Sequence, residues 1–300
     1  MASAAVTATR DERRSGLFAL LGAFTIWGLL PLYLRLLPGV PALQITAHRL
    51  VFGCLVIVGF LRARGALGEV RAALVVPSVR TRLMISAALV TINWVLFVWS
   101  VTSGHVVESS LGYFINPLVN VLLGVLLLGE RLRRMAWLAV LLAAAGVGYL
   151  GWLAHAPPWL ALALALSFSG YGLIRKTVAV DAMPGLAAET LLPLPIGLGY
   201  LGFCEWKAVG VFRDFDPLQV ALLAGSGVLT ALPLWLFAYG ARRVRYSTVG
   251  VVQYLGPSLQ LIGGIAIFHE PFSPARALGF ALIWAALGLY AADGLLQPRS

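Results

Sequence analysis

Of the 300 residues, 60% are hydrophobic and 11% are charged, whereas a soluble domain carries about 25% charged residues. A water-soluble globule of this composition would expose large apolar patches and aggregate, which excludes a soluble helical bundle. The net charge of +10 is scattered between apolar runs, with no basic stretch interleaved with aromatics, so nucleic acid is excluded as a partner.

The chain opens with a polar tail over residues 1–14, MASAAVTATRDERR. The apolar run that follows from Ser15 is too long for a signal-peptide core, and no small-residue cleavage site precedes Pro31. It is read as the first of ten membrane-spanning segments, placed near 15–34, 42–62, 83–102, 107–128, 134–153, 158–177, 186–205, 217–239, 247–268 and 275–295. Each has about 20 residues, enough for a hydrocarbon core of about 30 Å. With the N-terminus in the cytoplasm, 17 of the 22 Lys and Arg residues fall on the inner side and 4 on the outer side, and Arg49 lies within a segment. This bias obeys the positive-inside rule and places both termini in the cytoplasm.

GYFINPLVNVLLGVLLLGE from Gly112 aligns with VQYLGPSLQLIGGIAIFHE from Val252 at an offset of 140 without gaps. Pro117 falls on Pro257, Asn120 on Gln260, and Glu130 on Glu270. Two five-segment repeats follow, over residues 15–153 and 157–296. An odd number of segments reverses the chain, so the second repeat is inverted. Inverted repeats are a transporter architecture with a solute site near the bilayer midplane. The expected fold is an all-α polytopic membrane protein of ten helices.

Polar side chains inside spanning segments turn toward protein or a water-filled cavity. Asn116 and Asn120 share a helix face, and Tyr113 lies one turn before them. Pro117 frees the Tyr113 carbonyl. Gln253, Gln260 and Pro257 repeat the design on the ninth segment. Two such stripes would line one central cavity, with Asn93, Trp94, Trp27 and Tyr254 placed to reach it. Such an amide- and aromatic-lined chamber suits neutral or zwitterionic solutes. His48, Arg49, Glu108 and Glu189 are the candidates for coupling or gating. Arg49 is expected to pair with Glu108, and Glu189 is a protonatable group near the inner end of the seventh segment. Glu130 with the arginines after it reads as a cytoplasmic cap.

Cys54 and Cys204 lie in apolar segments and offer no disulfide or metal spacing. No HExxH, GxSxG or Walker-type motif is present. Neither a metal nor a cofactor nor an enzymatic activity is therefore expected. The alternatives to a carrier are a polytopic membrane enzyme and a channel. The expected partners are the lipid bilayer, a small-molecule solute, and a proton or counter-solute that drives movement.

IWGLLPLY, HR in the second segment, NWVLFVW, ESSLGYFINPLVNVLLGVLLLGERLRRMAWLAV, YGLIRK and QYLGPSLQ together resemble the RarD-type permeases. These are the chloramphenicol-sensitive proteins of the EamA group in the drug/metabolite transporter superfamily. The resemblance runs from about residue 15 to 295. It implies an inner (plasma) membrane permease that exports or exchanges small organic solutes. Arg35 departs from the usual Lys after PLY, and Pro193 and Pro195 are further departures.

Overall fold

The computed structural model of the chain describes residues 9–102, 106–154, 159–212, 216–267 and 273–295. Among these residues it has thirteen helices and no strand. They are α1 (Arg10–Leu34), α2 (Ala42–Ala63), α3 (Leu67–Val75), α4 (Pro77–Thr102), α5 (Val106–Leu128), α6 (Arg134–Ala154), α7 (Trp159–Thr177), α8 (Ala182–Leu191), α9 (Leu194–Trp206), α10 (Pro217–Ala241), α11 (Tyr246–Gln253), α12 (Leu255–Ala266) and α13 (Pro274–Leu295).

The first helix starts earlier than the apolar run because a capping box recruits the polar tail. Thr9 N–H donates to Glu12 Oε2 at 2.7 Å, and Glu12 N–H donates to Thr9 Oγ1 at 3.3 Å. The helix has 25 residues, about 37 Å at 1.5 Å per residue. Among the described residues, five helices are long and apolar enough to cross a bilayer: α1, α2, α10, Pro77–Phe97 of α4 and Arg134–Leu153 of α6. The bent pair α8–α9 makes a sixth. Their outer faces carry Phe18, Leu55, Ile196 and Trp206, all exposed. In water such a surface would aggregate, and against lipid tails it is stable.

Three features differ from the sequence reading. The stretch between the second and third segments is not a loop but contains α3, nine residues long and too short to span. Its Val70 and Ala73 are buried, and it packs on α8. The seventh segment is two helices that meet at 44°. Pro193 and Pro195 explain the break, since proline lacks an N–H and clashes with the preceding turn; at the start of α9 neither defect matters. The ninth segment is likewise divided at Tyr254, which puts Pro257 in the first turn of α12, where backbone donors are unpaired anyway. Pro117, by contrast, sits inside the continuous α5.

Contacts fix the ends of the bundle. At one end α1 meets the last turn of α10 through Gly16 and Gly240. Arg242 reaches Asp181 at 3.1 Å, and Lys176 donates to the Ala241 and Val244 carbonyls. At the other end Tyr33 donates to the Leu222 carbonyl, and Gln44 to Val209 O at 2.7 Å. The first end carries most of the arginines and is called the arginine-rich end. A core of Leu20, Phe24, Leu83, Tyr171, Phe237, Tyr246 and their neighbours fills its half of the bundle.

Candidate functional site: a cavity between the helices

The opposite half is hollow. α1 brings Phe24, Trp27, Pro31 and Leu34 to one face, at spacings of three and four residues. α2 adds Arg49, α4 adds Asn93, Trp94 and Phe97, and α5 adds Tyr113. Phe168 of α7, Thr230 and Leu234 of α10, and Gln253, Pro257 and Gln260 of α11 and α12 close the ring. The cavity volume is about 160 Å³, room for several waters or for a small organic molecule. A recess of about 110 Å³ between α2 and α4 shares Arg49, Trp94, Phe97 and Thr230 with it.

The floor is aromatic. Trp27 meets Phe168 edge-on at 5.7 Å, and Phe168 meets Phe237 at 5.4 Å. Below them Tyr171 stacks on Phe237 at 5.9 Å. Edge-on and offset rings are favoured aromatic packings, and these lie between the chamber and the core of the arginine-rich half.

The polar groups on the wall are held by the helices. Pro31 has no N–H to give the Trp27 carbonyl, and Gln260 Nε2 supplies the missing donor from α12 at 3.2 Å. Asn93 Nδ2 donates to Leu164 O at 2.9 Å and Ser167 Oγ at 3.1 Å, which ties α4 to α7. Arg49 Nε donates to Thr230 Oγ1 at 3.0 Å, which ties α2 to α10. Its expected partner Glu108 has a side chain outside the described residues.

Of the nine residues expected around a cavity, Trp27, Asn93, Trp94, Tyr113, Gln253 and Gln260 line it. Asn116, Asn120 and Tyr254 do not. Asn116 Oδ1 accepts from the Ser169 hydroxyl at 2.5 Å, on the α5–α7 contact. Asn120 Nδ2 donates to Gln253 Oε1 at 2.6 Å, on the α5–α11 contact. Tyr254 packs with Phe114, Phe280 and Ile283, away from the chamber. The stripe of three on α5 is thus split, because α7, α11 and the chamber each lie against one of its members. The chamber is also not free of charge, since Arg49 is on its wall.

His48 and Arg49 point to different neighbours, as adjacent residues on a helix must. His48 is buried against Phe52 and Phe212, and its Nδ1 lies 2.8 Å from Gln44 O. Glu189 is buried in α8 and faces Arg175 of α7 at 3.6 Å, with both side chains all but inaccessible. Ser86 and Tyr171 sit beside the carboxylate. Both Glu189 oxygens, Arg175 Nε and Nη1, and the two hydroxyls make no hydrogen bond among the described residues. The Arg175 guanidinium lies where a side chain on residue 185 would be, so any residue larger than Gly185 would require the guanidinium to move.

Glu130 does more than cap its own helix. Its carboxylate accepts from the Tyr246 and Ser247 N–H groups at 2.5 and 3.0 Å, at the start of α11. An acid there meets unpaired donors and the positive end of the helix dipole.

The match with known proteins follows this geometry. Residues 14–152 match the EamA-like transporter family. A protein named RarD from Salmonella typhimurium is 40% identical over 289 residues, covering 96% of this chain and 98% of that one. The chain belongs to the EamA-like transporter family. An uncharacterized transporter from Vibrio cholerae is also 40% identical, over 97% of this chain and 96% of its own. One solved crystal structure shares the fold, with a TM-score of 0.73 at 22% identity over 93% of this chain and 98% of that chain. Apolar helices and EamA membership together make this a membrane protein of the drug/metabolite transporter type.

Sequence reasoning did not single out Arg175, Thr230, Phe97 or Phe168 of this EamA protein. Arg175 precedes Lys176 and reads as part of a loop cluster. Its place four residues after Tyr171, on the same helix face, was the available signal. Thr230, Phe97 and Phe168 carry none beyond their helices.

Proposed function

We propose that the protein is a secondary carrier of small organic solutes in the inner (plasma) membrane, with ten spans arranged as two inverted five-helix repeats. In this reading the spans are α1, α2, α4, α5 and α6, then α7, α8–α9, α10, α11–α12 and α13. Both termini and the arginine-rich end face the cytoplasm. The chamber therefore opens outward, and transport proceeds by rocking of one repeat on the other.

The observation that carries this reading is an asymmetry between equivalent contacts. In the repeat alignment Asn120 corresponds to Gln260 and Tyr113 to Gln253. Asn120, away from the chamber, is hydrogen-bonded to Gln253 at its wall, while the counterparts Gln260 and Tyr113 both line the chamber. A carrier caught in one state has one member of such a pair closed and the other parted. Helix packing supports the exchange. α1 packs on α10 as α7 packs on α4, and α5 packs on α7 as α12 packs on α1. α6–α13 and α5–α11 map onto themselves.

The coupling roles of His48, Arg49, Glu108 and Glu189 belong to the same proposal. Glu189 is the carboxylate whose protonation would release Arg175. The test is side-specific labelling. With Cys54 and Cys204 replaced by Ala, Gln260→Cys reacts with an impermeant maleimide from outside, and Ser247→Cys reacts only from inside and only during turnover. Counterflow in sealed vesicles, screened with metabolites and amphenicols, supplies the turnover. Simultaneous labelling of both positions from one side would indicate a channel and end the carrier reading.

A further inference from the structure

We propose that the cargo is a small organic monocarboxylate with a flat apolar body, its carboxylate held by Arg49. This rests on the carrier reading above and names the chemistry of its site.

Arg49 lies in a chamber walled by Trp27, Trp94 and Phe97. A cation in such surroundings is costly unless an anion meets it. Within the protein Arg49 makes one hydrogen bond among the described residues, from Nε to the neutral Thr230 hydroxyl. No described residue lining the chamber or its recess is acidic. Among the described residues the two terminal nitrogens of the guanidinium take no hydrogen-bond acceptor and form a fork, and the group that fits a fork is a carboxylate held by two parallel hydrogen bonds.

The remaining donors agree. Asn120 donates to Gln253 Oε1, so the polar group that Gln253 has left for the chamber is its NH₂. Gln253 and Arg49 thus both present N–H to the cargo, and a head rich in acceptors satisfies both. One cation balances one negative charge, which favours a monocarboxylate over a phosphate dianion. The indole and phenyl walls offer flat faces, and the volume of about 160 Å³ limits the body to roughly a single ring with a short arm.

The experiment uses full-length protein in lipid nanodiscs and three matched probes: phenylacetate, its neutral counterpart phenylacetamide, and the cation benzylamine. Binding of labelled phenylacetate is measured directly, and the others compete. Wild-type protein should prefer phenylacetate over phenylacetamide by about ten- to a hundredfold, the range for a charge-assisted pair. Arg49→Gln should shrink that preference below about threefold, and Arg49→Lys should restore part of it; a sharp melting transition shows that each variant is folded. Equal binding of the amide or the amine to wild-type protein overturns the assignment, as does a carboxylate preference that survives Arg49→Gln. Saturable counterflow of a neutral solute, lost in Trp94→Ala and unaffected by Arg49→Gln, would overturn this inference and leave the carrier intact. Absence of counterflow for every solute would strike the carrier reading itself.

Discussion

Asn120 and Gln253 join two helices amide to amide, Nδ2 to Oε1 at 2.6 Å, with both side chains buried. Asn120 comes from α5 and Gln253 from the end of α11, helices more than a hundred residues apart in sequence. Replacing Asn120 with Leu leaves the Gln253 oxygen unmatched, and an unmatched buried acceptor costs about 1–3 kcal/mol. The closed half is therefore weakened more than the open half. Asn120→Leu should lose most counterflow and raise labelling of Ser247→Cys from inside; unchanged labelling would show that the bond does not hold this end shut.

Gly250 of α11 lies against α5, where an added Cβ would stand 2.5 Å from the Pro117 carbonyl and 3.1 Å from Asn120 Cβ. Neither backbone can yield cheaply. Gly250→Ala should lower stability by about 1–3 kcal/mol, the usual cost of overpacking, and abolish transport. Thermal melting in detergent measures the first effect and vesicle counterflow the second. Ala at the half-buried Gly263, where nothing lies within 4 Å of an added Cβ, is the control and should do neither.

Glu130 holds the first two N–H groups of α11 from across the bundle. Glu130→Gln keeps the shape and removes the charge, so it should weaken this clasp by about 1 kcal/mol, the worth of a charge at a helix end. Glu130→Ala removes the acceptors as well and should cost about 2 kcal/mol. A graded rise in Ser247→Cys labelling from Gln to Ala is the expected readout, and equal effects would mean that the charge is immaterial.

The Gln260–Trp27 bond depends on Pro31. In Pro31→Ala the helix regains its own donor for the Trp27 carbonyl, and Gln260 becomes redundant there. Gln260→Leu should then cost about 1 kcal/mol in the parent chain and almost nothing beside Pro31→Ala. A double-mutant cycle by thermal melting measures the coupling, and additive effects would remove the proposed link.

Breaking the Arg175–Glu189 pair from one side leaves a buried charge alone. Arg175→Met or Glu189→Leu should each destabilise by about 3–5 kcal/mol, while the two together should recover most of that loss. If Glu189 carries the coupling proton, Glu189→Gln should also flatten the pH dependence of counterflow. A pH profile unchanged from the parent chain would restrict Glu189 to a structural part.

The apolar character of the helices was legible because composition and length alone demand lipid. The polar positions inside segments were legible too, since an amide in an apolar run must face something other than lipid. What each amide faces was not. Asn116 and Asn120 share the face of Tyr113 to within a helical turn, yet α7, α11 and the chamber divide that face between them. Periodicity names a stripe and cannot name its neighbours. The breaks at Pro193 and Tyr254 were partly hidden for a related reason, since the hydropathy of two short helices in line equals that of one long helix. Arg175 was missed because a charge next to a loop is ordinarily solvated, and only tertiary packing brings Glu189 and Gly185 to it.

The guanidinium of Arg175 rests in the space that a side chain on Gly185 would fill. The two positions are thus coupled in evolution: a lineage that puts a larger residue at 185 must move or discard the arginine at 175, and with its loss goes the reason to keep an acid at 189. All three identities should be inherited or lost as a set, the glycine as strictly as the ions it accommodates.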